Sequence, residues 1–350
     1  MVGKYSLRIA SGLLASLLLL LIVLPVVTYA DTSYVVKSGD SLSRIAGEFS
    51  SSVQAIASAN NIADPNMIFV GQKLVIPDGS PASPAAELAR PAPSPGSILA
   101  NRRLLTYYGN PYDARMGILG ALSKKDLVAA LNRRAAMYAS LSDKPVQPAI
   151  HFIVTVAQAD PGPDGKYRAR MPVSLVQEYA DLAAQNGMLM FLDIQVGHST
   201  VQEELVPWIP LLSQPHVHLA LDPEFDMWAG QLPGVQLGHM TADEINYAQQ
   251  VLTNIVRENG LPNKVLIVHQ FAASMLPDKG NIMSYPSVEL VTDMDGFGSQ
   301  SLKLKHYQWY VEDELIEYAG IKLFFNQDTP LFTPEQIMSL DLVPDVIIYQ

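Results

Sequence analysis

A chain of 350 residues, 49% of them hydrophobic, carries enough apolar material for a large core and about two domains, which excludes a disordered protein. A formal charge of −11 with no basic cluster excludes nucleic acid as a partner. The lack of any cysteine excludes disulfides, thiolate metal sites and a thiol nucleophile, so stability has to come from packing.

Taken in chain order, Lys4 and Arg8 precede an apolar run from Leu13 to Val27 and then Thr28-Tyr29-Ala30, the pattern of a signal peptide over 1–30. The expected address is secreted or extracellular. The stretch Ile9 to Val27 is also close to bilayer length, so a membrane enters only if this segment stays uncleaved.

Residues 34–77 predict a strand (Tyr34 to Lys37), two short helices and a closing strand (Lys73 to Ile76). Leu42, Ile45, Ala46 and Phe49 fall at helical spacing on one face, behind a turn at Ser38-Gly39-Asp40 where Asp40 or Ser41 can cap the helix. Val53, Ile56 and Ala57 mark the second helix, which ends at Asn60-Asn61. The order "YVVKSGDSL…IA…N…I…GQKLVIP" resembles the LysM module over its whole length. That resemblance implies a small α+β (βααβ) fold and a shallow groove for N-acetylglucosamine-containing glycans, peptidoglycan or chitin. Carried over position by position, the groove is Gly39, Asp40, Ser41 and Leu42 with Asn66, Met67 and Ile68.

Residues 78–100 open with "DGSPASPAAELARPAPSPGS", dense in Pro, Ala and Ser, and predict an extended, semi-rigid linker. From 101 to 350 eight apolar runs alternate with amphipathic segments. The runs are 104–110, 150–157, 189–196, 217–224, 265–271, 288–295, 321–328 and 345–350. Helices are expected from Lys124 to Leu141, Ser174 to Asn186, Ala242 to Asn259 and Ser301 to Leu315. Eight such repeats predict an α/β fold, a (β/α)8 TIM-like barrel.

The runs finish polar, and in this architecture the C-terminal strand ends form the rim where active sites are built. Period-two alternation sets Asp222 and Glu224 on one face with Ala220, joins Asp193 to Gln195, and joins Asp293 to Asp295. Several carboxyls around one cleft suit glycoside hydrolysis, in which one acid protonates the leaving oxygen and another group acts as nucleophile, base or orienter. The catalytic candidates are therefore Glu224, Asp222, Asp193, Asp293 and Asp295. The cleft is expected to hold Tyr108, Gln195, His198, Trp228, His269, Gln270, Asn326 and Asp328. Tyr107, Tyr108 and Trp228 offer rings for sugar stacking, whereas Trp208 and Trp309, inside helices, are expected in the core.

The D-x-E at 222–224 is similar to that of barrel chitinases and some barrel muramidases, in which the Glu is the acid and the Asp positions an acetamide. His218 and Ala220 depart from the longer chitinase signature, so the resemblance holds at superfamily level. No cofactor and no metal are expected: His198, His269 and Asp193 share the rim without H-x-H or H-x-x-x-H spacing. Two other readings stay open, a non-catalytic wall-bound carbohydrate-binding barrel and a metal-dependent hydrolase on the same rim.

Overall fold

The computed structural model describes residues 32–37, 40, 42–49, 51, 56, 57, 59, 60, 62, 68–77 and 96–350. The expected leader, most of the linker, Gly39, Ser41, Asn66 and Met67 lie outside the described residues, as does much of the second short helix. Among the described residues no helix is long and apolar enough to cross a membrane. The chain divides into two compact units, one ending at Ala82 and the other starting at Ser83.

In the first unit β1 (Thr32–Val35) pairs antiparallel with β2 (Lys73–Ile76), Tyr34 lying opposite Leu74. The strand starts two residues earlier than its apolar pattern suggests. Helix α1 (Leu42–Glu48) lays Leu42, Ile45 and Ala46 against Ile56, Leu74 and Ile76, a closed core for so short a segment. Asn60 ties the second helix to the sheet: its amide donates to Ile56 O and Val75 O, both at 2.7 Å, and accepts from Val75 N at 2.8 Å.

The second unit is a closed parallel barrel. Its strands are β3 (Arg103–Gly109), β4 (Val146–Ala157), β6 (Leu189–Ile194), β7 (Val217–Leu221), β8 (Lys264–Gln270), β9 (Val288–Met294), β10 (Tyr318–Leu323) and β11 (Val346–Tyr349). Each pairs with the next and β11 returns to β3; a three-residue strand β5 (Arg168–Arg170) adds antiparallel to the end of β4. All eight expected runs are strands. Helices α2 (Ile118–Ala121) and α3 (Lys124–Ala139) follow β3, α4 (Val173–Gln185) follows β5, and α5 (Val201–Leu205) and α6 (Ile209–Leu212) follow β6. Helix α7 (Ala242–Asn259) follows β7, α8 (Gln300–Tyr307) follows β9, and α9 (Pro334–Met338) follows β10. Only two 3-10 turns, Ala273–Met275 and Lys279–Asn281, link β8 to β9. The helix expected over 301–315 turns into a π-helical segment at Gln308–Glu312.

The strands read as continuous apolar runs because both faces are buried. Alternate residues such as Leu104, Phe191, Ile267, Val291 and Ile348 fill the inside, while Leu105, Leu192, Leu266, Leu290 and Ile347 pack outward against the helices.

The barrel floor is closed by the chain's own approach. Glu289, 3% exposed, accepts from Ile98 N and Leu99 N at 2.7 Å and from Ser97 Oγ at 3.1 Å, and Leu99 is wholly buried in the inner core. The linker expected to run to residue 100 thus ends before Ser97. These backbone N–H groups satisfy a carboxylate that would otherwise be buried without a partner.

Candidate active site

The inner residues turn polar toward the C-terminal ends of the strands. Parallel register sets Tyr108 of β3 beside His151 of β4, and His269 of β8 beside Asp293 of β9. Asp193 of β6 lies at the centre of this layer: its Oδ2 accepts from His151 Nε2 at 2.9 Å and from His269 Nε2 at 3.1 Å. The other nitrogen of His269 donates to Asp293 Oδ2 at 2.9 Å. Gly320 makes room for this, since a Cβ there would come within 2.9 Å of Asp293 Oδ1. Lys322 of β10 holds Asp295 at 3.0 and 3.2 Å and stands 3.6 Å from the centre of the Tyr108 ring.

Electrostatics follow from the bonding. Burial opposes ionisation of Asp193, but the bonds from His151 and His269 outweigh it and hold the carboxyl below the usual range. Burial likewise disfavours a charged His269, yet Asp295, Asp193 and Asp293 raise its pKa well above the ordinary value, so the ring is an imidazolium bonded at both nitrogens. His151 is pushed down by burial. Lys322 is raised despite burial because four aspartates surround it, Asp295 foremost.

Asp222 and Glu224 stand above this layer. Strand β7 stops at Leu221, because Pro223 opens a 3-10 turn over Pro223–Phe225, so Glu224 does not lie on the strand as its alternation suggested. Asp222, 2% exposed, accepts from Gln195 Nε2 at 3.1 Å and from Glu224 N at 3.3 Å; Gln195 is itself fixed by Ala157 N at 3.0 Å. Burial raises the Asp222 pKa. Glu224 is half-buried, and its carboxyl takes no hydrogen bond from another described residue. Burial first and Asp295 second push it up to about 7, with Lys322 and His269 opposing. Gly238 fixes its backbone by donating to Glu224 O at 2.7 Å, an approach that a Cβ, 2.6 Å from that oxygen, would prevent.

The layer and the residues above it thus bring together Asp193, Gln195, Asp222, Glu224, His269, Asp293, Asp295 and Tyr108. They leave out several residues expected in the cleft. Gln270, one position from inward-facing His269, faces outward and accepts from Lys279 Nζ at 2.9 Å. His198 meets Gln231 O at 2.7 Å, carried away from the centre by the turn at Gly197. Asn326 is exposed, and Asp328 braces the turn after β10 by accepting from Phe324 N, Gly298 N and Lys303. Tyr107 points outward against Phe325 and Tyr349, and Tyr108 is buried under Lys322, so neither can stack on a ligand. Trp228 is 66% exposed beside His239; Trp208 is buried and Trp309 half-buried. Sequence reasoning missed His151 and Lys322, which strand alternation places inside. It also missed Asp226, which burial and neighbouring Glu244 push up to about 8.

Among the described residues two sets of side chains have the geometry to hold a metal ion: His151, Asp193 and His269, and His269, Asp293 and Asp295. Spacing along one strand is blind to the first set, drawn from three strands, and finds only Asp293 and Asp295 of the second, which His269 of the neighbouring strand completes.

The small unit has a direct counterpart among known families. Residues 34–77 match the LysM domain. In this LysM domain Asp40 Oδ2 accepts from Tyr34 Oη at 2.8 Å and from Lys37 N at 2.7 Å, which fixes the loop after β1. Leu42, 1% exposed, is core and offers only its backbone to a ligand; Ile68 is half-buried against the same core. Solved structures were also compared. The spore cortex-lytic enzyme SleL of Bacillus cereus is 15% identical with a TM-score of 0.33, and that of Bacillus megaterium QM B1551 is 11% identical with 0.34. Each alignment covers 83% of this chain, which spans 62% of the SleL chains. A hyperthermophilic endo-β-1,4-glucanase is 7% identical with a TM-score of 0.38, over 71% of this chain and 88% of that one. At these values none of the three bears on the reaction.

Proposed function

We propose that this is an exported, wall-associated glycoside hydrolase. In this reading its LysM domain holds an N-acetylglucosamine-containing glycan, peptidoglycan or chitin, and its barrel cuts such a chain with Glu224 as general acid. The observation that carries the reading is the state of Glu224: a carboxyl at the rim, free of hydrogen bonds from other described residues, with its pKa pushed up to about 7. Such a group keeps its proton up to about neutral pH, where an ordinary carboxyl has lost it, and can give that proton to the leaving oxygen. Asp222, steadied by Gln195, stands two residues away, where an orienting group for a 2-acetamido substituent is needed. The buried layer beneath contributes fixed charge: Lys322 and His269 supply cations that favour the carboxylate left after proton transfer.

Asp193, Asp293 and Asp295 are bound to His269 or Lys322 and are poorly placed to attack an anomeric carbon. A nucleophile from the substrate itself, its acetamide oxygen, fits this arrangement. The same observation favours the second reading, a barrel that binds glycan without cutting it. Incubating the chain and its Glu224→Gln variant with peptidoglycan, chitin oligomers and α-glucans separates them. Products from the parent and none from the variant support the acid; products from both overturn it; products from neither favour binding alone.

A further inference from the structure

Among the described residues of the barrel three aromatic side chains are largely exposed: Tyr112 at 66%, Trp228 at 66% and Phe297 at 60%. All three lie in loops leaving the C-terminal strand ends, after β3, β7 and β9 respectively, and thus surround the mouth in which Glu224 lies. The helix layer and the barrel floor expose no aromatic of comparable degree among the described residues. Exposing large apolar rings on one rim alone marks a surface made for a ligand.

The loops that carry these side chains are pinned, and two of the three rings have an aromatic neighbour. Trp228 packs edge-on to His239, with ring centres 3.7 Å apart, and its backbone N–H donates to Gln231 Oε1 at 2.9 Å. Tyr112 N donates to Asn110 Oδ1 at 2.9 Å. Phe297 lies edge-on to Phe324 at 5.7 Å, and Phe324 is 5.3 Å from Lys322 Nζ, so this ring continues the wall that starts at the buried layer. A pre-positioned ring gives contact area with little conformational entropy to lose. At the floor Asp193, Asp293 and Asp295 are bound to His269 or Lys322, which leaves little unpaired charge facing the mouth and suits an uncharged chain.

We propose that Tyr112, Trp228 and Phe297 are stacking platforms for separate sugar rings of one neutral polysaccharide, so that the barrel takes a chain of several units rather than a disaccharide. Sugar rings present apolar C–H faces to such rings and hydroxyl edges to the polar groups between them. The inference rests on the glycan reading of the barrel and adds the length of chain that it recognises.

All three tryptophans of the sequence, Trp208, Trp228 and Trp309, belong to the barrel, so their emission reports on it and not on the LysM domain. The full chain carrying Glu224→Gln is titrated with β-1,4-linked N-acetylglucosamine oligomers of increasing length. Emission is expected to shift as Trp228 is covered, with affinity rising from dimer to hexamer. Tyr112→Ala and Phe297→Ala should each weaken hexamer binding about tenfold and leave the dimer nearly unchanged. An emission that no oligomer moves, or hexamer affinity that survives both truncations, overturns the platforms. Cleavage by the parent with either of those results would leave the acid reading intact; cleavage by Glu224→Gln would remove the acid and leave the titration to decide the platforms.

Discussion

Lys322 holds Asp295 across neighbouring strands, Nζ 3.0 Å from Oδ1 and 3.2 Å from Oδ2, with both side chains nearly sealed from solvent. Asp295 raises the pKa of Glu224 and Lys322 lowers it, so the pair tunes the proposed acid. Asp295→Asn removes the carboxylate that acts most strongly on the cation. Glu224 should then lose its proton at lower pH, moving the alkaline limb of a rate profile toward acid. Breaking a buried pair should also cost roughly 3–5 kcal/mol of stability, read by denaturant unfolding. An unmoved limb with normal turnover would show that Asp295 does not act on Glu224.

In the parent the acid must carry its proton, so activity on a glycan should fall as pH rises through about 7. Glu224→Gln should lower the rate roughly 10²–10⁴-fold with the fold unchanged by circular dichroism. A parent profile flat from pH 5 to 9 would argue against an acid of this strength.

The barrel was legible in the sequence because burial on both faces turns each strand into an apolar run, and eight such runs alternating with helical segments leave few architectures. The site was only partly legible. Alternation within a strand correctly sets Asp193 with Gln195, but says nothing about which residue of another strand it meets. His151 and Lys322 each lie inside an apolar run, so neither stands out until the barrel closes and brings both to Asp193 and Asp295. Gln270 and His198 were misplaced for opposite reasons: one lies on the outward parity, and the other lies past a glycine turn that ends the strand's alternation.

Asp226 offers a test through stability. Its folded pKa is raised from 3.8 to about 8. The stability it adds is complete in acid, below its unfolded value, and is lost as pH climbs through about 8. Asp226→Asn cannot ionise. The Tm of the variant relative to the parent should therefore rise between pH 5 and 9; a constant difference would show that Asp226 is not held protonated.

The bonds from Ser97, Ile98 and Leu99 to Glu289 predict where the barrel can be cut from the rest of the chain. A fragment starting at residue 96 should melt as one unit. One starting at 101 leaves Glu289 buried without those donors and empties the place of Leu99, at a cost of about 2–5 kcal/mol from the side chain alone. Equal Tm values for the two fragments would mean that the floor closure adds nothing.

The LysM domain, tested alone, should sediment with insoluble peptidoglycan or chitin and stay bound in 1 M salt, because neutral sugars offer no charge to screen. Release at modest salt would point to an ionic ligand instead.

The cations beneath Glu224 are out of reach of the medium. Lys322 and His269 are sealed inside the barrel and already bound to carboxylates, so dissolved ions cannot gather around them as they do around exposed charges. The bias that these two cations place on the proposed acid is then set inside the protein and should change little from dilute to concentrated electrolyte. On the proposed reading, the pH dependence of the reaction would then vary little with the salt around the protein.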